Sequence, residues 1–257
     1  MDESEKLPFT SHLEELRKRL IISFVAVGIG FAASYGFKEF LFTILVHPLM
    51  NVMQEGDTLI FTGLPEAFFT YLKVAFLSGL MLASPIIIYQ FWMFVAPGLY
   101  HKEKRLLLPI IFLSSVFFIG GALFGYFIVF PWGFKFFLGF ATEQIRPLPS
   151  MKEYLGFSAK LLLAFGLVFE LPLVLTFLAK LGVVSVEFLK KQRKYAILLF
   201  FAGSAILTPP DVVTQVMMAL PMMLLYEISI IGAKIFSPKK STGADEPDPA
   251  ASAGDSE

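Results

Sequence analysis

Long apolar runs free of charged residues alternate with short polar segments along most of this chain. A helix of roughly 18 or more such residues is long enough to cross a hydrocarbon layer about 30 Å thick. Three runs reach that length, a fourth holds Glu170 near its middle, and two shorter runs follow. The pattern predicts an all-α integral membrane protein with six transmembrane helices, the last two of them short, at 20–37, 74–100, 106–134, 157–178, 195–207 and 212–226.

The segments between these runs contain helix-breaking residues. Residues 41–69 mix prolines, glycines and acids with short apolar pieces, which predicts a loop with interfacial segments. Residues 135–160 predict a second such loop, and Pro85 predicts a kink in the second span. Residues 1–236 therefore read as one transmembrane domain, whereas the composition of 237–257 predicts a disordered acidic tail.

The residues before the first apolar run predict an amphipathic helix start. Ser11 and Glu14 have the spacing of a capping box, and Glu15 lies four residues before Arg19, the spacing of a helical ion pair. The acidic start lacks a basic segment leading into a short apolar core, so we expect no cleavable signal peptide.

Composition supports a membrane protein and excludes several other classes. Hydrophobic residues make up 56% of the chain and the mean hydropathy is +0.71, whereas soluble domains usually reach about 45 to 50%. A net charge of zero gives no reason to expect nucleic acid, and three scattered histidines with no cysteine predict no metal site, disulfide or thiol chemistry. No hydrolase, phosphate-binding or dinucleotide motif is present, so we expect neither an enzyme nor a cofactor.

Basic residues predict the orientation in the membrane. Six spans place both termini on one side, and about 15 of the 21 Lys and Arg fall on that side. The positive-inside rule therefore predicts that both termini are cytoplasmic. The loop APGLYHKEKR, at 96–105, then faces the cytoplasm as well.

This loop contains Glu103, a single acid among four basic residues. It is either a solvated charge neutralised by its neighbours or an acidic recognition point at the membrane surface. The residues alone leave both interpretations open.

Glu170 is the strongest intramembrane signal. A carboxylate in the middle of a span costs at least ~2.5 kcal/mol on insertion scales, so it needs a compensating role. It is either a neutral acid held by an internal hydrogen bond or a polar point in a groove. The second interpretation includes a proton-coupled secondary transporter with Glu170 as its coupling acid, which would require a second polar group at the same depth.

A polar cluster is predicted where the two short spans meet. Asp211 follows two prolines, as the N-cap of a helix does. Thr208 and Gln215 flank it, and such groups commonly bind another helix in lipid.

Four segments carry a resemblance to a known family. HLEELRKRL at 12–20, YQFWMFVAPGLYHKEKR at 89–105, FGLVFELPL at 165–173 and LTPPDVVTQ at 207–215 resemble the TatC family, the multispanning core of the twin-arginine protein translocase. The resemblance extends over roughly residues 9–236, with the four motifs in family order.

The resemblance implies a receptor for the twin-arginine signal peptide of folded cargo at the cytoplasmic face of a bacterial inner membrane. The positions that match the family's peptide site are Glu15 and Glu103, with Arg17, Phe94 and Arg105 as neighbours. A guanidinium fits a carboxylate through two parallel hydrogen bonds, so two acids could read two arginines.

The resemblance also implies a cupped bundle with Glu170 on its concave side, and assembly into oligomers. Thr208 and Gln215, with Asp211 beside them, match the contact surface for the single-span partners TatA and TatB. Export driven by the proton-motive force is implied by the family alone.

Overall fold

The computed structural model describes residues 3–54, 56–95, 107–142, 144, 146–208 and 211–236, with side chains from Thr10 onward. Glu103 and Arg105 lie outside the described residues, as does the predicted acidic tail. Within the described part the chain is helical, and its only extended pairing is an isolated bridge between Ile60 and Ser150.

Ten α-helices and one π-helical segment make up the described structure. They are α1 Glu3–Tyr35, α2 Lys38–Met50, α3 Glu66–Val95, α4 Leu107–Phe124, the π segment Gly125–Val129, α5 Phe130–Leu138, α6 Met151–Phe169, α7 Leu171–Lys180, α8 Val186–Lys191, α9 Arg193–Leu207 and α10 Val212–Phe236.

Four helical stretches in the described chain are long and apolar enough to cross a membrane. They are Glu66–Val95, Leu107–Leu138, Met151–Lys180 and Val212–Phe236. The α1–α2 pair, bent by 89°, adds a fifth if it counts as one span. At 15 residues, α9 is about 22 Å long and falls short of the hydrocarbon thickness. The sixth span therefore stays a prediction.

The N-terminal capping box is wrong, and so is part of the first predicted loop. α1 is already helical at Glu3, so Ser11 lies inside the helix and does not start it. Residues 38–50, expected as part of a loop, form α2. Apolar side chains on α2, including Leu45 and Leu49, pack into the core, and this burial outweighs the helix-breaking tendency of Pro48.

The second loop is shorter than expected. α5 continues to Leu138, and α6 begins at Met151 rather than near residue 157. The Ser150 hydroxyl accepts a hydrogen bond from the backbone N–H of Glu153, which marks the start of α6. The sequence carries this capping box, Ser150 to Glu153, and it is the signal that the expected boundary overlooked.

The sixth apolar run is not short. α10 has 25 residues and extends ten residues beyond the predicted end at Tyr226. The prediction stopped before Glu227 because a charge usually closes a span. In the structure Arg193 of α9 donates to Glu227 at 2.7 Å, and both side chains are about half exposed. A charge at a partly exposed, paired position does not end the helix.

Pro85 does not break α3, which is helical from Glu66 to Val95. The Ser84 hydroxyl donates to the Met81 carbonyl at 2.7 Å, a bond within the turn before the proline.

α1 and α3 pack against each other more extensively than any other pair of described helices, and two glycines set their distance. A Cβ added to Gly30 would lie 2.5 Å from the carbonyl oxygen of Gly79, so the backbones approach too closely for any side chain at this crossing. Because the two helices are antiparallel, positions equally far from the crossing meet. This register determines which side chains face each other at the ends of both helices.

Candidate functional site

The α1–α3 register brings Arg19 beside Gln90. Each lies 11 residues from the Gly30–Gly79 crossing, and Arg19 Nη1 donates to Gln90 Oε1 at 3.2 Å. Gln90 is a buried polar residue in an otherwise apolar helix. A buried amide requires a hydrogen-bond partner, and Arg19 supplies it.

Arg19 also contacts Glu15, the predicted peptide-binding acid. Arg19 Nε donates to Glu15 Oε1 at 3.0 Å, and Nη2 donates to the same oxygen. The Glu15 side chain is 29% exposed and that of Arg19 is 19% exposed. The predicted i, i+4 ion pair is thus confirmed. Since both bonds end on Oε1, Arg19 leaves Oε2 of Glu15 unused.

Phe94 lies at the same level of the bundle as Glu15. The two residues each lie 15 positions from the glycine crossing, and the Phe94 ring stacks on His12 of α1 with centroids 4.3 Å apart. We call the surface formed by His12, Glu15, Arg19, Gln90 and Phe94 the Glu15 face. α3 ends at Val95, so residues 96–106, which contain Glu103, continue directly from this face.

Arg17 does not share this surface. It lies two residues after Glu15, about 200° around α1, and is exposed. Three residues of the Glu15 face, namely His12, Arg19 and Gln90, were not among the predicted site residues. The polar Gln90 within the apolar run 74–100 was the available sequence signal, but its partner depends on how α1 packs on α3.

Glu170 separates α6 from α7 and borders an apolar groove of about 550 Å³ between α3, α4 and α6. The Ser114 hydroxyl accepts from Trp92 Nε1 at 2.8 Å and lies within hydrogen-bonding reach of the Glu170 carboxyl. Glu170 Oε1 is buried and has no hydrogen-bond partner among the described residues. Glu170 is the only ionisable residue among those that line the described part of the groove.

The polar residues where α9 meets α10 satisfy one another within the chain. Asp211 Oδ1 accepts from the backbone N–H of Thr214 at 2.7 Å, which confirms Asp211 as the cap of α10. Gln215 Nε2 donates to the Phe201 carbonyl of α9 at 2.9 Å, and the buried Thr208 hydroxyl donates to the Ser204 carbonyl at 2.9 Å. These bonds tie the two helices together at this end.

A buried carboxylate organises the opposite end of the bundle. Glu66 Oε2 accepts from the Thr62 N–H at 2.7 Å, the Thr62 hydroxyl at 3.0 Å and the Gly63 N–H at 3.2 Å. Glu66 Oε1 accepts from the Ser150 hydroxyl at 2.7 Å and the Lys152 N–H at 3.0 Å. We call the surface formed by Thr62, Gly63, Glu66, Ser150 and Lys152 the Glu66 face; it joins the start of α3 to the start of α6.

No group of three or more potential metal ligands occurs in the part of the chain that the structure describes.

The chain is similar to known proteins along nearly its whole length. The family model described as Sec-independent protein translocase protein (TatC) matches residues 11–221. A Sec-independent protein translocase protein TatC from Desulforapulum autotrophicum is 66% identical over 244 residues, which cover 95% of this chain and 90% of the relative. The TatC protein of Magnetococcus marinus is 50% identical over 230 residues, or 90% of this chain and 85% of the relative.

The fold is also similar to that of a solved structure described as the crystal structure of twin arginine translocase receptor TatC. The two share 44% sequence identity and superpose with a TM-score of 0.80, over 88% of this chain and 99% of that chain. Family match, relatives and fold therefore agree, and the chain belongs to the TatC family of Sec-independent protein translocase proteins.

Proposed function

We propose that this protein is the signal-peptide receptor of a twin-arginine translocase and that its peptide site is the Glu15 face together with Glu103. The observation that carries the proposal is the Arg19–Glu15 contact. It shows that a partly exposed carboxylate at this face accepts a guanidinium from the side, with one oxygen left for another donor.

The position of Glu15 supports a two-acid site. Glu15 is level with Phe94, and only eight residues separate Phe94 from Glu103 along the chain. Eight residues of extended chain span at most about 28 Å, so the loop has ample length to return to Glu15. Two acids at one face could each take one arginine of a twin-arginine motif. Arg105 lies in the same loop and would be a neighbour of the bound peptide.

The orientation follows from the same proposal. A receptor for cargo made in the cytoplasm must present the Glu15 face to the cytoplasm, with both termini on that side and six spans in a bacterial inner membrane. The Lys and Arg distribution supports this arrangement. The whole region 1–236 then acts as one transmembrane domain.

The test of the peptide site is a binding titration with a labelled twin-arginine peptide. We expect Glu15→Gln and Glu103→Gln each to weaken binding about tenfold or more, because each removes a charge-assisted pair with a guanidinium. Glu14→Gln is the matched control, since Glu14 is an exposed acid on the adjacent position of α1. Unchanged affinity in both acid variants would refute the assignment.

We propose that Thr208, Asp211 and Gln215 contribute to a docking site for single-span partners of the TatA and TatB type, in an oligomeric translocase driven by the proton-motive force. Gln215 uses its amide nitrogen within the chain, and its amide oxygen remains an acceptor that could bind a partner helix.

Gln215→Leu tests this docking site. We expect it to reduce recovery of a co-purified single-span partner several-fold while the protein stays in the membrane fraction. Thr43→Val is the control, because Thr43 is an exposed residue whose hydroxyl bonds only the Glu39 carbonyl of its own helix. Equal recovery from both variants would remove Gln215 from the docking site.

The proton-coupled transporter has no supporting observation of its own. Its second midplane polar group is not found among the described residues that line the Glu170 groove, which are apolar apart from Glu170, Ser84 and Trp92. Uptake of a small solute by liposomes containing this protein alone, driven by a pH gradient, would favour the transporter over the receptor.

A further inference from the structure

A groove with a cavity of about 610 Å³ opens near the Glu66 face, away from the peptide site. Its apolar walls come from α5, from the loop before α6 and from the end of α9. One face of α6 forms its floor, with Glu153, Gly156, Phe157 and Lys160 at positions i, i+3, i+4 and i+7.

The two charges of this floor are arranged by depth. Glu153 lies in the first turn of α6, and Lys160 lies seven residues further, about 10 Å along the helix axis. Side chains on a helix lean toward its N-terminus, so the Lys160 stem extends back toward Glu153. The base is therefore the deeper charge, and the acid is the charge nearer the water boundary.

Lys160 lies in a span with little to neutralise it. It is exposed, and neither of the ion pairs found among the described residues includes it. A lysine in an apolar span usually pairs with a counter-charge or serves a ligand. α9 ends beside it after only 15 residues, so the wall at this side of the groove is low and open to lipid.

Gly156 makes the groove deep enough for a ligand. It is exposed between the two charges, and a Cβ added at this position would meet no atom within 4 Å. The volume of the groove is within the range of about 300 to 1,000 Å³ that is usual for sites that hold small ligands.

We propose that this groove binds one phospholipid whose headgroup carries a phosphate and a protonated primary amine, as in phosphatidylethanolamine. The phosphate of such a lipid lies closer to the hydrocarbon layer and its ammonium closer to water. This is the same order as Lys160 and Glu153, so phosphate meets lysine and ammonium meets glutamate. An anionic lipid without the amine satisfies Lys160 but leaves its neighbour Glu153 unmatched.

The test is native mass spectrometry of the full chain in detergent, titrated with phosphatidylethanolamine or phosphatidylglycerol. We expect Lys160→Gln to weaken retention of both lipids about fivefold or more, because both lose a charge-assisted contact with the phosphate. Glu153→Gln should weaken retention of phosphatidylethanolamine alone. Lys152→Gln is the matched control, an exposed lysine of the same helix outside the groove.

A second variant removes space without altering charge. Gly156→Leu fills the groove and should reduce retention of both lipids. Gly28→Leu is its control, because a Cβ there also meets no atom within 4 Å. Retention equal to the controls in all three groove variants overturns the proposal. So does an unchanged lipid count accompanied by loss of a co-purified single-span partner, which would assign the groove to that partner.

Discussion

Glu15 and Glu66 are both carboxylates near the end of a long helix, at opposite ends of the bundle, but their surroundings differ. Glu66 accepts five hydrogen bonds on both oxygens from four residues in two chain segments and is 8% exposed. Glu15 receives two bonds on one oxygen from a single side chain of its own helix and is 29% exposed.

The difference separates a structural acid from an available one. The donors around Glu66 are mainly backbone N–H groups that have no other partner, so this carboxylate holds its two segments together and has no capacity for a ligand. Glu15 is held by a flexible side chain whose contact can be exchanged for another guanidinium at small cost. Carboxylates of the same charge thus acquire different roles from the number and kind of donors around them.

The largest expected effect breaks the Glu66 side of the comparison. Glu66→Ala leaves the backbone N–H groups of Thr62, Gly63 and Lys152 without their acceptor, so the connection between the starts of α3 and α6 weakens. We expect the thermal unfolding midpoint in detergent to fall by roughly 5 °C or more. Glu39→Ala, an exposed acid in the first turn of α2, is the control and should change little. A midpoint like that of the parent would show that Glu66 does not hold these segments together.

An intermediate effect concerns the guanidinium already on Glu15. Arg19→Gln removes the positive charge that neutralises Glu15, so an incoming arginine no longer has to replace it. We expect a twin-arginine peptide to bind about threefold more tightly at low salt, with a smaller gain at high salt.

Arg193→Gln is the control for this charge change, because Arg193 belongs to the other ion pair found among the described residues, with Glu227. Weaker peptide binding by the Arg19 variant would mean that Arg19 positions Glu15 for the ligand and does not compete with it.

The smallest expected effect sharpens the Glu15 side. Glu15→Gln removes a partly exposed pair within one helix, and such pairs contribute little to stability. We expect the unfolding midpoint to stay within about 2 °C of the parent while peptide affinity falls. A fall as large as that of Glu66→Ala would make Glu15 a structural acid as well and would remove the contrast.

Local patterns in the sequence predicted some elements of the fold well and others poorly. The long apolar runs predicted the helices near 74–100 and 106–134, and Asp211 was correctly expected to cap α10. The end of α10 was misjudged at Glu227, because a charge in a sequence does not reveal whether a partner such as Arg193 awaits it. α2 was misjudged for a related reason, since its helicity depends on burial against other helices.

The sequence by itself determined that this chain is a helical membrane protein, because apolar runs of spanning length follow from composition and order alone. It also determined the family, through motifs that need no coordinates to be read. Only the tertiary structure decided that Arg19 meets Gln90 and that Glu66 meets Ser150, since the residues of each pair are 71 and 84 positions apart. Contacts across such separations depend on the register of packed helices. The close approach of Gly30 and Gly79 fixes that register for α1 and α3, and no local pattern encodes it.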